Sequence, residues 1–270
     1  MNKKPLISII TVVYNADKYL EQTIKSVINQ DYNNIEYIII DGGSTDGTMS
    51  VIKEYEESIS YWVSEKDNGI YDAMNKGIDI ASGKWINFMN AGDSFYNNKV
   101  LSEVFKNDLS GIKIVYGDRQ VIFQNNTRKR VKAESLNLIW KGKPMCHQSC
   151  FVDAIYHKQN KFTLKYNICD DFKFIYDAYQ KGVSFKYINL VVANYLAGGS
   201  SGDSILRTIV QDWMIVDKSF KVNIYYIWKM CQISMQEFIK YIAQYNAPSE
   251  QRNRFQNSLS SIIEKLKEMR

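Results

Sequence analysis

A chain of 270 residues, 45% hydrophobic and 23% charged, has the composition of an ordinary globular protein able to bury a sizeable core, as one large domain or one domain with an appendage. Its net charge of +5 is confined to the end, where Lys218 to Arg270 carries nine Lys and Arg against four Glu and the first 217 residues balance. No basic stripe with stacking aromatics argues for nucleic acid, no apolar run nears the roughly 18 residues a membrane span needs, and Met1 to Pro5 lacks an apolar signal segment, so the expectation is a cytoplasmic protein.

Leu6 to Val13 is a continuous apolar, β-branched run, which predicts a strand covered on both faces. Asn15-Ala16-Asp17 opens a helix whose Leu20, Ile24, Val27 and Ile28 share one face. Ile35 to Ile40 predicts a second buried strand. The turn Asp41 to Gly47 then leads into a helix carrying Val51, Ile52 and Tyr55. Ile59 to Val63 predicts a third strand, Ile70 to Ile78 a helix, and Trp85 to Met89 a fourth strand. Strands alternating with helices at this spacing imply a three-layer α/β fold with a parallel sheet.

After about residue 110 the alternation loosens. Ile112–Tyr116 and Gln120–Gln124 read as strands, with residues 125–132 as a polar loop holding Arg128-Lys129-Arg130. Asp171 to Tyr179 reads as a helix, Ser184 to Val192 as a strand, and Gly198 to Gly202 as a flexible loop before a helix from Asp203. Beyond Lys218 the pattern is helical, amphipathic and aromatic, broken at Ala247-Pro248-Ser249 and resumed to Arg270. Such a stripe suits packing on the domain or on a second subunit, and equally a membrane surface. Cys146, Cys150, Cys169 and Cys231 lack a second pair at zinc-site spacing and read as free thiols.

Three carboxylates fall where predicted elements meet: Asp41 and Asp93 after strands, and Asp171 before a helix. In open parallel sheets ligands bind beyond the carboxyl ends of the strands. Acids gathered there can hold a divalent cation against a phosphate, or remove a proton from a nucleophile. Each also suits a local task. Asp41 and Ser44 can cap a turn and helix, Asp93 can bond its own turn, and Asp170 or Asp171 can cap the helix that follows. Neither a dinucleotide fingerprint nor a phosphate-binding Gly-Lys-Ser/Thr loop is present. Lys76 reads as a phosphate contact or a helix-surface lysine, and His147 as a ligand or a structural histidine; His157 lies in a polar stretch that suggests no role.

Taken in order, the motifs resemble those of the GT-A-fold family 2 glycosyltransferases, over roughly residues 5 to 215. They are Val13-Tyr14-Asn15, the Asp41 to Asp46 turn, Lys66 to Gly77, Gly83 to Asp93, His147-Gln148 and the acidic pair Asp170-Asp171. The nearest branch builds colanic-acid-like, capsular and O-antigen polysaccharides. The resemblance implies a GT-A three-layer fold with a mostly parallel central sheet and a helical C-terminal extension. Residues 1–217 would be the catalytic domain, with 1–117 binding nucleotide and 118–217 binding acceptor. Residues 218–270 would be the extension, meeting a membrane or another subunit in a homo-oligomer.

By position, the resemblance implies that Tyr14 and Asp41 contact the uracil of a UDP-sugar and that Asn75 and Lys76 lie near its ribose or diphosphate. Thr11, Asn15, Ser44, Asp67, Asn90, Ala91 and Gly92 complete the donor site. Asp93 matches the metal-binding end of the family's Asp-x-Asp motif and would hold Mn2+ or Mg2+, although Asn90 and Gly92 replace the other acids. Asp171 matches the catalytic base, with Asp170 as the helix cap. His147, Gln148, Asp170, Gly199 and Ser200 would face the acceptor or diphosphate. The reaction implied is an inverting hexosyl transfer to a polyprenyl-diphosphate-linked saccharide at the inner membrane surface. An inactive sugar-nucleotide-binding scaffold and a sugar nucleotidyltransferase are the alternatives.

Overall fold

The computed structural model of the protein describes residues 4–198 and 205–245. The chain divides into two compact units, Met1–Asp217 and Lys218–Arg270.

The first unit is built on one mixed nine-stranded sheet. Strands β1 (Ile7–Val13), β2 (Ile35–Asp41), β3 (Tyr61–Ser64) and β4 (Trp85–Phe88) are parallel, ordered β3-β2-β1-β4. Next to β4 lies β8 (Cys150–Asp153), antiparallel, then β6 (Ile114–Ile122), β9 (Phe185–Leu196) and β5 (Ser94–Phe95). Strand β7 (Arg128–Val131) pairs with the outer half of β6. Every residue of β1 is buried, as its unbroken apolar run predicts for a central strand. Successive strand side chains point to opposite faces, and the helices use both. Helix α1 (Asp17–Ile28) packs Leu20, Ile24 and Val27 into a cluster with Ile7, Ile9 and Val13. Helix α3 (Ile70–Ile80) meets the other face, where Gly77 lies so close to β1 that an added Cβ would stand 2.6 Å from Ile10 Cγ2.

The second half departs from its sequence pattern. The two strands expected between Ile112 and Gln124 are one, β6. Its ladder with β9 shifts register around Gly117, where a Cβ would stand 2.6 Å from Leu190 O, so the strand bends through an irregularity instead of ending. Arg128-Lys129-Arg130, expected in a loop, forms most of β7. Its cations suit an edge strand, which charge protects from further pairing. Short α2 (Thr48–Glu54) was legible, whereas α4 (Val100–Phe105), α5 (Ala154–Gln159), β5 and β8 were not. Helix α6 (Asp170–Gln180) has Cys169 at its N-cap, so Asp170 is the first helical residue and not the expected cap. The expected helix from Asp203 is α7 (Ile205–Ile215), its first residues and the loop before it lying outside the described residues. All four cysteines are free thiols.

The second unit contributes helix α8 (Phe220–Tyr245), which exposes Phe220, Ile224, Ile227, Trp228 and Met235. The expected break at Ala247 and the last helix lie outside the described residues. Among the described residues no helix is long and apolar enough to cross a membrane.

Candidate active site

The carboxyl ends of β1, β2 and β3 are in register, Val13 beside Asp41 and Asp41 beside Ser64. The loops beyond them are laced together. Asp41 is fully buried and accepts from Gly43 N (3.1 Å), Ser44 N (2.9 Å), Ser44 Oγ (2.5 Å) and Ser64 Oγ (2.5 Å). Asn15, at φ 47°, donates its N–H to Ser44 Oγ at 2.8 Å and accepts from Thr45 N at 2.9 Å through Oδ1. Asp41, Ser44 and Asn15 therefore build the loops, and the surface they support is a shelf at the rim. There Tyr14 is 63% exposed, and a Cβ on Gly42 would stand 2.5 Å from Asp67 Oδ2 and 3.4 Å from the Tyr14 ring. Asp67 is held by Gly69 N at 2.8 Å on its other oxygen.

Other expected donor residues have structural partners. Thr11 is buried inside the sheet, its hydroxyl 2.7 Å from Met89 O and 3.0 Å from Tyr37 OH, so it lies below the rim with no face toward a ligand. Asn75 brackets the Phe162 backbone, donating to its O at 2.9 Å and accepting from its N at 3.0 Å. Lys76 pairs with Glu65 at 2.7 Å and stays partly exposed.

Beyond β4 the backbone turns through Asn90, Ala91 and Gly92 (φ 99°), and Asp93 N–H bonds Asn90 O at 3.0 Å. Thr23 on α1 fixes the turn, donating to Asp93 O at 2.6 Å and accepting from Gly92 N at 3.1 Å. Asp93 is 7% exposed; its carboxylate accepts from Leu196 N at 3.0 Å and from Gln148 Nε2 at 2.6 Å. Burial pushes its carboxyl up to about 6 against those bonds. In the residues around it the buried oxygens Asn90 Oδ1 and Gln148 Oε1 have no hydrogen-bond partner among the described residues. A buried carboxylate with its proton affinity raised and orphaned amide oxygens in the residues around it form a donor set suited to a hard divalent cation, which takes oxygen ligands and few carboxylates when phosphate supplies the rest. Among the described residues, no three His, Cys, Asp or Glu cluster into a metal cage.

The 3₁₀ turn His147–Ser149, just before β8, carries the site onward. Gln148 bonds Asp93, while His147 lies with Nε2 3.1 Å from Asn90 Nδ2 and Nδ1 3.4 Å from Asp171 Oδ2. Asp171, 8% exposed in the first turn of α6, accepts at Oδ1 from Tyr71 OH (2.9 Å) and Lys143 Nζ (2.8 Å). Burial alone would raise its carboxyl, but the Lys143 ammonium, with His147, holds it well below the usual carboxylate range. It lines a small pocket with Lys143, Met145, His147, Phe172 and Ile175. Asp93 and Asp171, distant in sequence, are thus joined through consecutive residues of one turn.

Asp170 turns elsewhere. It is 1% exposed, accepts from Thr163 Oγ1 at 2.7 Å and leaves Oδ2 without a partner. Gly199 and Ser200 lie outside the described residues. His157, expected to be unremarkable, is 1% exposed and stacks on Phe174 at 4.4 Å, and burial lowers it to about 4. Sequence reasoning missed Lys143 and Tyr71. Tyr71 stood inside the Lys66 to Gly77 motif, while Lys143 lies in coil between Gly142 and Pro144 with no periodic signal.

Comparison with known proteins shows the family and the fold. Residues 8–175 match the family model for glycosyl transferase family 2, more than half of the chain, and the protein belongs to that family. It is 28% identical to the PGL/p-HBAD biosynthesis glycosyltransferase of Mycobacterium tuberculosis over 209 residues, 75% of this chain and 81% of that one. It is 38% identical to the putative teichuronic acid biosynthesis glycosyltransferase TuaG of Bacillus subtilis over 102 residues, 37% of this chain and 40% of that one. Among solved structures, it is similar in fold to S. aureus TarS 1-349 in complex with UDP (TM-score 0.61, 16% identity, 94% of this chain and 79% of that one). It is also similar to the mannosyltransferase PcManGT from Pyrobaculum calidifontis in complex with GDP-Man and Mn2+ (TM-score 0.64, 15% identity, 97% and 81%). The protein is a glycosyltransferase with a GT-A-like α/β fold.

Proposed function

We propose that the enzyme transfers a hexose, with inversion, from a UDP-sugar to a saccharide carried on a polyprenyl diphosphate, in bacterial surface polysaccharide or glycolipid synthesis of the colanic-acid, capsule or O-antigen kind. The observation that carries the reading is the link from Asp93 to Asp171 through Gln148 and His147. One acid suits a cation and the other is held ionised beside an ammonium, and both stand around one turn. The names of the relatives, and the UDP and GDP-mannose bound by the fold neighbours, support a nucleotide-sugar donor and a glycolipid or polysaccharide product.

Residues 1–117 bind the nucleotide, with the Tyr14 ring and Asp67 carboxylate at the rim over loops organised by Asp41, Ser44 and Asn15. Residues 118–217 bind the acceptor. Asp93, with Asn90 Oδ1 close by, would hold Mn2+ or Mg2+, which supplies charge neutralisation for a diphosphate. An acceptor hydroxyl is a weak nucleophile, and Asp171 takes its proton as the acceptor oxygen bonds to the anomeric carbon. The bond from that carbon to the diphosphate breaks, and its electron pair leaves on UDP. One displacement converts an α-linked donor to a β-linked product. Residues 218–270 contact the inner face of the membrane or a second copy.

The test offers UDP-glucose, UDP-galactose and their N-acetyl forms, with Mn2+ and a synthetic polyprenyl-diphosphate saccharide. Acceptor-dependent UDP release with a β-linked product is expected. An α-linked product from an α-linked donor, or no turnover with any UDP-sugar, overturns the reading.

A further inference from the structure

Asp171 presents two unlike oxygens. Oδ1 takes both short bonds, from Tyr71 OH at 2.9 Å and Lys143 Nζ at 2.8 Å. The same two donors also reach Ile168 O, at 2.9 Å and 3.2 Å. Lys143, with three N–H donors, grips one carboxylate oxygen and the backbone just before α6 together, while the single Tyr71 proton is shared between the same two oxygens. Among the described residues, Oδ2 has only the longer contact to His147 Nδ1 at 3.4 Å. Lys143 comes from the loop between Gly142 (φ 128°) and Pro144, its side chain is 25% exposed, and it lines the same pocket as Asp171.

We infer that Lys143 is a positioning residue for the transfer reaction: it clamps Oδ1 of Asp171 and leaves Oδ2 as the oxygen that meets the acceptor hydroxyl. The inference rests on the reading of Asp171 as the base. The proton from the acceptor passes to Oδ2, and Lys143 itself neither gains nor loses one. A second consequence is electrostatic. The ionisable groups around Asp171 are Tyr71 from α3, Lys143, His147 and Cys150 from the segment leading into β8, its neighbours Cys169 and Asp170, and Asp212 from α7, whose charge also reaches Lys143. Of these only Lys143 carries a permanent positive charge near neutral pH. Removing it raises the affinity of Asp171 for a proton, as burial does at Asp93, whose bonds come from a backbone N–H and an amide.

The experiment compares Lys143→Met, Lys143→Gln and Lys143→Arg in the full chain, with UDP affinity as the measure of an intact fold. In Lys143→Met and Lys143→Gln, kcat should fall by roughly tenfold or more with donor KM within about twofold, and the acid limb of the kcat profile should move up by about one pH unit or more. Lys143→Arg should recover most of kcat and return the limb toward its parent position. An unmoved acid limb in both neutral variants, or an arginine variant as impaired as they are, overturns the inference. Asp171→Asn run alongside separates the two ideas: transfer retained there refutes the base assignment itself, whereas transfer lost there with an unmoved limb in the Lys143 variants refutes only the clamp.

Discussion

The two acids of the site solve one electrostatic problem in opposite ways. Asp93, at the end of the parallel half, is buried and among the described residues bonds only neutral donors, Leu196 N and Gln148 Nε2, and its carboxyl is raised to about 6. Asp171, in the half carried by β6, β8 and β9, is equally buried but bonds an ammonium, which drives its carboxyl below the usual range. A buried charge is tolerated when it is paired and costs stability when it is not. The unpaired acid is the one with the chemistry to receive a cation, and the paired acid is poised in its ionised form.

The largest effect that would break this contrast is at Asp171. Asp171→Asn should lower kcat by about 100- to 10,000-fold with UDP affinity unchanged in calorimetry. It also strands the Lys143 charge, so Tm should fall; wild-type turnover would remove Asp171 as the base. Asp93→Asn should have the opposite effect on stability. A carboxyl raised from 3.8 to about 6 contributes stability that is present below its unfolded value and lost as pH rises through 6. At pH 7.5 the ionised acid costs up to about 3 kcal/mol, so Asp93→Asn should raise Tm by roughly 5 °C there, should gain nothing at pH 4, and should lose the response to Mn2+. The orphan Gln148 Oε1 allows its amide to turn and accept from the new amide. A lower Tm at pH 7.5 together with an intact metal titration would erase the distinction between the two acids.

The smallest effect sharpens it with a third buried group. His157 is held neutral among Phe88, Phe162 and Phe174 and is lowered to about 4. Its unfolded form takes up a proton first as pH falls below about 6.5, so it withdraws stability on acidification, about 2 kcal/mol between pH 8 and pH 5. His157→Phe should flatten that part of the denaturant-derived stability profile. An unchanged slope would mean that this histidine is charged in the fold.

Much of this was legible in the sequence where one physical signal dominated. Runs rich in β-branched, apolar and aromatic residues marked β1, β2 and β4, and the acids at their ends followed from strand polarity. The second half was harder because its strands are short, charged or bent. Arg128 to Val131 reads as loop until β6 is seen beside it, and Gly117 reads as a break until Leu190 O is seen against it. Asp41 and Asn15 were found, but their bonds are spent on the loops themselves, which no spacing discloses. Lys143 and Tyr71 bond Asp171 across 28 and 100 residues, so their grip belongs to tertiary structure alone.

One feature sets a limit on how this enzyme can vary. Gln148 and His147 are successive residues, so the partners of the two acids are separated by a single peptide step of about 3.8 Å. Inserting or deleting one residue between Cys146 and Cys150 would rotate one hand of this yoke out of reach and silence both acids at once. The tip that follows β6 is tied back toward the site as well, since Ala197 N bonds Ile122 O beside the Leu196 N–H that holds Asp93. The short turn before β8 therefore keeps its length.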